Sequence, residues 1–496
     1  MKWNGDELLC LNLLTEPKLG LGTILVTGAT GYVGGRLVPE LLERGYKVRV
    51  MARASSNEIE GRWPKAEIVV ADALKPEQLK TALKGVHTAY YLIHSLLLGP
   101  KKFEVADIRA ANNFREAAEE CGVKRIIYLG ALGDVQTTLS PHLRSRIQVA
   151  ETLQSGKIPV TILRAAIIIG SGSASYEILK SLVMKSPVFL LPYWAKTKCQ
   201  PISMRTLINV LVGVLEKEET SGNVYDVGGM EILTYEEMLK IMSKLLNKKK
   251  IFIHTFFKSF KIYSYIISLQ TPVSAPVVKS LMQSCKNDVL CQSVNTLPSS
   301  MYRPITFKEA LLRAMSREEL DAVYSRWSDE YPRAHELALK LHELKKPPYY
   351  ISSYSLLSLK KKESLFKSIC KIGGDEGWFN SNWLWRLRGI LDSILMGVGA
   401  SRGRRSSNAL RIYDVVGFFR VEDIIANKRL LLRAEMKLPG KAWLEFRINE
   451  EGVKNKLFVT AYFEPYNWTG KAYWYNFLPF HYFIFTNLLK QIDKRS

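Results

Sequence analysis

Ile24-Leu-Val-Thr-Gly28-Ala-Thr-Gly31-Tyr-Val-Gly34-Gly35-Arg36 joins an apolar, β-rich run to a glycine turn and then to helical spacing at Leu37, Leu41 and Leu42. That order describes a strand–loop–helix phosphate cradle, and each glycine has a physical task. Gly28 lets the chain leave the strand at a sharp angle, and Gly31 removes a side chain where a pyrophosphate approaches the backbone. Gly34 allows the helix to pack closely on the strand, while the helix N-terminus offers free N–H groups and partial positive charge to the anion. Glycines also mark ordinary turns, so it is the flanking strand and helix that tie this pattern to a dinucleotide. Thr30, Tyr32 and Val33 complete the loop as cofactor-binding candidates.

Outward from the cradle, strand and helix patterns alternate from Thr23 to Ile169. Strands are expected at Thr23–Thr27, Lys47–Met51, Ala66–Val70, Thr88–Ile93, Arg125–Leu129 and Pro159–Arg164. Helices are expected at Val33–Arg44, Pro76–Leu83, Val105–Cys121 and Ser145–Ser155. Such alternation implies an α/β fold, a doubly wound parallel sheet whose ligands bind beyond the carboxyl ends of the strands. Residues 1–20 read as an N-terminal tail, and 171–344 as a substrate lobe closing a first domain that spans 21–344. The Pro-, Ser- and Lys-rich stretch 345–363 reads as a linker. Beyond it the period changes to two at Leu430–Leu438, Ala442–Asn449 and Lys456–Glu464. Leu444, Phe446 and Ile448 share one face there, with Glu445 and Arg447 on the other. A long aromatic helix over Gly470–Lys490 follows, so residues 364–496 are expected as an α+β domain with an antiparallel sheet.

The chain has 496 residues, a net charge of +23 and 47% hydrophobic residues, which suits a globular protein of several domains. Its basic residues are spread along the whole chain. The clusters Lys248–Lys250, Lys360–Lys362 and Arg402–Arg405 belong to no nucleic-acid module, so no nucleic-acid partner is expected. Six cysteines show neither metal-ligand spacing nor a disulfide framework, which points to reduced thiols, a cytoplasmic setting and no metal site. The N-terminus lacks the basic region and long apolar core of a signal peptide.

Thr27-Gly-Ala-Thr-Gly-Tyr-Val-Gly34, Tyr91-Leu-Ile-His-Ser95, Tyr128-Leu-Gly-Ala-Leu-Gly133 and Leu163-Arg-Ala-Ala-Ile-Ile-Ile-Gly170 resemble the atypical short-chain dehydrogenase/reductase family. The likeness runs to its NmrA-like members and to the Rossmann-type accessory subunit of respiratory complex I. Gly373-Gly-Asp-Glu-Gly-Trp378 through Arg405, with Tyr473-Trp474, resembles a domain of unknown function that follows such Rossmann domains in some bacterial proteins. The first resemblance implies a Rossmann-type domain that binds NAD(P) and an oxidoreductase acting on an apolar carbonyl or quinone-like substrate. A non-catalytic cofactor sensor or assembly subunit is the alternative.

The residue after the second strand decides which dinucleotide fits. Arg53 stands there without a nearby acid, which favours the 2′-phosphate of NADP over NAD, with Arg36 as a second contact. The resemblance places Asp72 at the adenine, and Ile93 and His94 near the nicotinamide-side ribose. A helix-capping role is the other reading of Asp72. The family's Tyr-x-x-x-Lys pair is missing. His142-Leu-Arg-Ser-Arg146 stands in its place, with His142 able to handle a proton and Arg146 to hold the ribose. The alternative is that Ser140-Pro-His142 only begins a helix.

Ala472 to Leu489 carries no charge and lies between Lys471 and Lys490. Its polar interruptions favour a helix buried against the antiparallel sheet, a domain type that often leaves an apolar pocket. Peripheral contact with a membrane surface is the second reading and a true span the third.

Overall fold

The computed structural model describes residues 13–53, 62–94, 103–133, 140–256, 259–273, 275–298, 300–319, 325–327, 341, 344, 346–373, 377–379, 382–394, 404, 406 and 409–496. The chain divides into two compact units: residues 1–270 with 276–332, and residues 333–496 with 271–275.

In the first unit, β1 (Thr23–Val26), β2 (Val48–Ala52), β3 (Glu67–Val70), β4 (Val86–Tyr91), β5 (Arg125–Ala131), β6 (Val160–Ala165) and β7 (Val224–Val227) form one sheet. Its order is β7-β6-β5-β4-β1-β2-β3 and every pairing is parallel. The order reverses between β1 and β4, the switch point at which such sheets open a ligand crevice. Ile24, Leu25 and Val26 have no exposed surface because helices cover both faces. Phe114, Val149 and Leu153 pack with Leu25, Tyr91 and Tyr128 on one face. On the other, Tyr90 donates to the Leu211 carbonyl at 2.8 Å. The six expected strands are all present, and β7 adds a seventh within the stretch read as substrate lobe. Asp226 of β7 is buried and paired with Arg164 of β6 at 2.6 Å. This buried ion pair interrupts the apolar signature of a four-residue strand.

In the second unit, β8 (Tyr350–Ser358), β9 (Val415–Val416), β10 (Phe419–Ile425), β11 (Arg429–Ala434), β12 (Gly440–Glu451) and β13 (Lys454–Pro465) form an antiparallel sheet of order β8-β13-β12-β11-β10-β9. The stretch 345–363, expected as a linker, therefore contains an edge strand, paired with β13 from Tyr350↔Phe463 to Ser358↔Asn455. The C-terminal helix spans Trp468–Lys494, and the Asn467 side chain caps it by accepting from the Thr469 N–H at 3.1 Å. Trp474 stacks on Tyr350 and Phe463, and Phe485, Leu488, Leu489 and Ile492 complete its buried side. Glu445, expected on the outer face of its strand, is buried. It accepts from Arg429 at 2.6 Å, Arg447 at 3.0 Å and Tyr462 at 2.8 Å.

Candidate functional site

The cradle is built at the ends of β1 and β4. The Thr27 hydroxyl donates to the Tyr90 carbonyl at 2.9 Å and accepts from the Leu92 N–H at 3.0 Å, which fixes where the loop leaves the sheet. Gly28 has φ +61°, and a Cβ there would lie 2.5 Å from the Leu92 carbonyl oxygen. Both the backbone angle and the close approach therefore demand glycine. A Cβ on Gly34 would lie 2.5 Å from the Gly28 carbonyl oxygen, so this glycine sets how near α1 (Gly34–Glu43) comes to the loop. Val33, at the N-cap of α1, provides no side-chain acceptor. The helix N-terminus is left to an anion, and the residues present fit a dinucleotide pyrophosphate. Gly31 and Tyr32 are buried in the loop, and Thr30 and Val33 are half-buried.

Arg53 follows β2 directly and is exposed. Arg36, expected as its companion, is instead committed within the fold. Its guanidinium donates to the Ser325 hydroxyl at 2.6 Å and the Ser171 carbonyl at 2.7 Å, and it lies over the Tyr32 ring. One Asp72 carboxylate oxygen accepts from the Leu74 N–H at 2.9 Å, so the residue closes the turn leading into the helix at Pro76–Leu83. The helix itself has Lys75 at its N-cap and no side-chain cap, so Asp72 shapes the preceding turn rather than capping the helix.

Beyond β4, Ile93 and His94 meet two helices, α2 (Phe103–Glu120) and α3 (Pro141–Gln154). His94 Nδ1 lies 3.3 Å from Asp107 Oδ2 of α2, and the Ser145 hydroxyl of α3 donates to the same oxygen at 3.4 Å. Burial pushes the His94 imidazole below its ordinary value. The hydrogen bond to Asp107 opposes that shift and the Arg146 guanidinium reinforces it. Arg146, expected to hold the cofactor ribose, is itself buried. Its guanidinium donates to the carbonyls of Ile93 and Leu129 and covers the Tyr128 ring. It ties the carboxyl ends of β4 and β5 together through these two carbonyls and is a positioning residue. His142 lies in the first turn of α3, after the N-cap Ser140, and its side chain falls outside the described residues. Asp107 escaped the sequence reading although a signal existed. It shares the helical stripe of Ala111, Phe114 and Ala118, all buried, so a carboxylate on that face needed a partner.

A cavity of about 530 Å³ opens beside the cradle within the first unit, lined by Tyr32 and Val33 of the loop, Leu132 after β5, and Leu143 of α3. Its remaining wall is mostly aliphatic and aromatic and comes mainly from the substrate lobe, with Ala131 and Ala165–Ile168 beside it. Trp194 and Trp327 contribute to it, and the indole N–H of each is buried without a hydrogen-bond partner. Among the described residues no group of three or more His, Cys, Asp or Glu could hold a metal ion.

The model of the NmrA-like family matches residues 21–288, and one described as a protein of unknown function (DUF2867) matches residues 346–488. Divinyl chlorophyllide a 8-vinyl-reductase of Zea mays is 27% identical over 249 residues, which are 47% of this chain and 61% of that protein. NADH dehydrogenase (ubiquinone) 1 alpha subcomplex subunit 9 of Arabidopsis thaliana is 25% identical over 231 residues, 45% of this chain and 58% of that protein. The chain thus spans about three fifths of the length of these two relatives. Among solved structures, the Citrobacter sp. triphenylmethane reductase complexed with NADP(H) aligns with a TM-score of 0.49 at 21% identity, over 59% of this chain and 99% of that one. Bordetella bronchiseptica WbmG in complex with NAD aligns at 0.49 and 14% identity, over 63% and 98%.

Proposed function

The chain belongs to the NmrA-like family, and from that premise we propose that it is an NADP(H)-dependent oxidoreductase acting on an apolar carbonyl or quinone-like substrate. The observation that carries this reading is the apolar cavity whose wall begins at Tyr32 and Val33 of the phosphate cradle. Cofactor and apolar ligand would therefore share an edge, which a hydride acceptor requires.

In this reading Gly28, Gly31, Gly34 and the start of α1 hold the pyrophosphate. Arg53 takes the 2′-phosphate and Asp72 faces the adenine. The carboxyl end of β4, held by Arg146 and by the contact of His94 with Asp107, supports the ribose next to the nicotinamide. The bound cofactor supplies the hydride. His142 supplies the proton, since the residue after it, Leu143, already lines the cavity. The aliphatic wall excludes water from the reacting face.

The test is NADPH oxidation against a panel of quinones and aryl carbonyls, with NADPH and NADH affinities measured in parallel. Turnover that disappears in His142→Ala while NADPH affinity persists supports the proposal. Tight NADPH binding without turnover across the panel overturns it. The burial of Arg146, at the place where the wider family's pattern has a lysine, favours a second reading: a non-catalytic cofactor sensor or assembly subunit. That reading expects NADPH to raise the melting temperature and to alter association with a partner.

A further inference from the structure

The C-terminal helix has two unlike sides. Trp474, Phe485, Leu488, Leu489 and Ile492 face the sheet, whereas Trp468, Tyr475, Tyr482 and Phe483 form an exposed stripe that Phe480 widens. Trp468 is 76% exposed and Phe483 69%. At 100° per residue, positions 468, 475 and 482 fall nearly in line, so these rings follow one edge of a helix about 40 Å long. The aromatic surface continues onto the edge strand β8. The Tyr350 ring meets Tyr475 at 5.6 Å, and Tyr354 meets Tyr482 at 6.0 Å. Exposed Tyr349 carries the Lys471 ammonium over its face.

Charge decides what such a surface would meet. From Tyr466 to Ser496 there is a single acid, Asp493, whose carboxylate accepts the Ser358 hydroxyl. Lys471, Lys490 and Lys494 are all exposed around the aromatic stripe. A second copy of a chain carrying +23 would be repelled from this face. A layer of anionic headgroups would be attracted, and Trp and Tyr rings with one apolar and one polar end suit its depth. Among the described residues no helix is long and apolar enough to cross a membrane, so contact would be along the surface. We propose that the aromatic face of the C-terminal helix docks this protein on the interface of an anionic lipid bilayer.

Flotation of the full chain with phosphatidylcholine vesicles, with and without phosphatidylglycerol, tests this. Association with the phosphatidylglycerol vesicles that weakens as salt rises is expected. Phe480→Ser with Phe483→Ser removes exposed rings only, so the melting temperature should hold while vesicle partition falls about tenfold or more. Lys471→Glu with Lys490→Glu keeps every ring and should cost at least about fivefold per lysine on anionic vesicles. Folded protein that stays off anionic vesicles at low salt overturns the proposal. So does a concentration-dependent dimer that the serine variant abolishes, because the same face would then join two copies.

Discussion

A charged layer under the second unit's sheet and two tryptophans at the first unit's cavity bury polar groups differently. In the second, one face of the sheet carries Arg420, Arg433, Glu422, Glu435 and Glu445, all at least nine-tenths buried and engaged with one another or with neighbours. Arg420 meets Glu435 at 2.7 Å, and the Trp443 indole N–H donates to Glu422 at 3.0 Å. In the first unit the indoles of Trp194 and Trp327 are equally buried, yet no protein acceptor reaches either N–H, and both residues line a cavity. A buried network of paired charges holds a fold together. Unpartnered donors beside a cavity remain open to a water or a ligand.

This contrast can be broken first at Glu435. Glu435→Leu leaves Arg420 and Arg433 buried without their carboxylate, and should destabilise the second unit by about 3–5 kcal/mol in denaturant unfolding. NADPH affinity should stay nearly constant, and a parallel loss of both would end the division of roles. Next in size is Gly28→Ala, which drives a methyl into the Leu92 carbonyl. NADPH binding by calorimetry should weaken at least about 100-fold, a change of about 2.7 kcal/mol.

The two kinds of tryptophan sharpen the comparison further. Trp443→Phe strips Glu422 of a donor and should cost about 1–3 kcal/mol of stability. Trp194→Phe removes a donor that has no acceptor, so the ligand-free protein should melt at the same temperature or slightly higher. Equal losses in the two variants would show that both indoles are structural.

Acid should separate the units least but measurably. Burial lowers His481 from 6.5 to about 4. Between those values the unfolded chain binds a proton that the folded one refuses, so stability falls as pH drops from 6.5 toward 4. His481 is only partly buried, so about 1–2 kcal/mol is expected across that window, and His481→Phe should flatten it. For Glu445, burial alone would raise the carboxyl. Tyr462, Arg447 and Arg429 outweigh it and hold it below the usual 4.5. Its contribution is complete above 4.5 and is lost as pH falls further, and Glu445→Gln should remove that acid step from the melting profile.

The cradle was legible because its demands are local. A φ of +61° and the lack of room for a Cβ leave glycine no substitute at Gly28, and the strand and helix on either side announce themselves by period. Edge strand β8 was hidden because Tyr350, Tyr354 and Leu356 face inward between serines. Composition there suggested a linker, and the period-two burial of the strand shows only in the fold. The burial of Glu445 was hidden for a related reason, since a period of two tells which residues share a face but not whether that face meets water.

By itself the sequence determined the parallel sheet, the phosphate cradle after its first strand and the antiparallel domain with its long helix, because each follows from periodicity and from backbone angles within a few neighbouring residues. Only the tertiary structure decided that Arg146 and Arg36 are spent on carbonyls and hydroxyls of the fold, and that an apolar cavity borders the cradle. Those outcomes depend on residues brought together across long stretches of chain, up to the 289 positions between Arg36 and Ser325. A side chain's freedom to act on a ligand is set by such neighbours, and no local pattern names them.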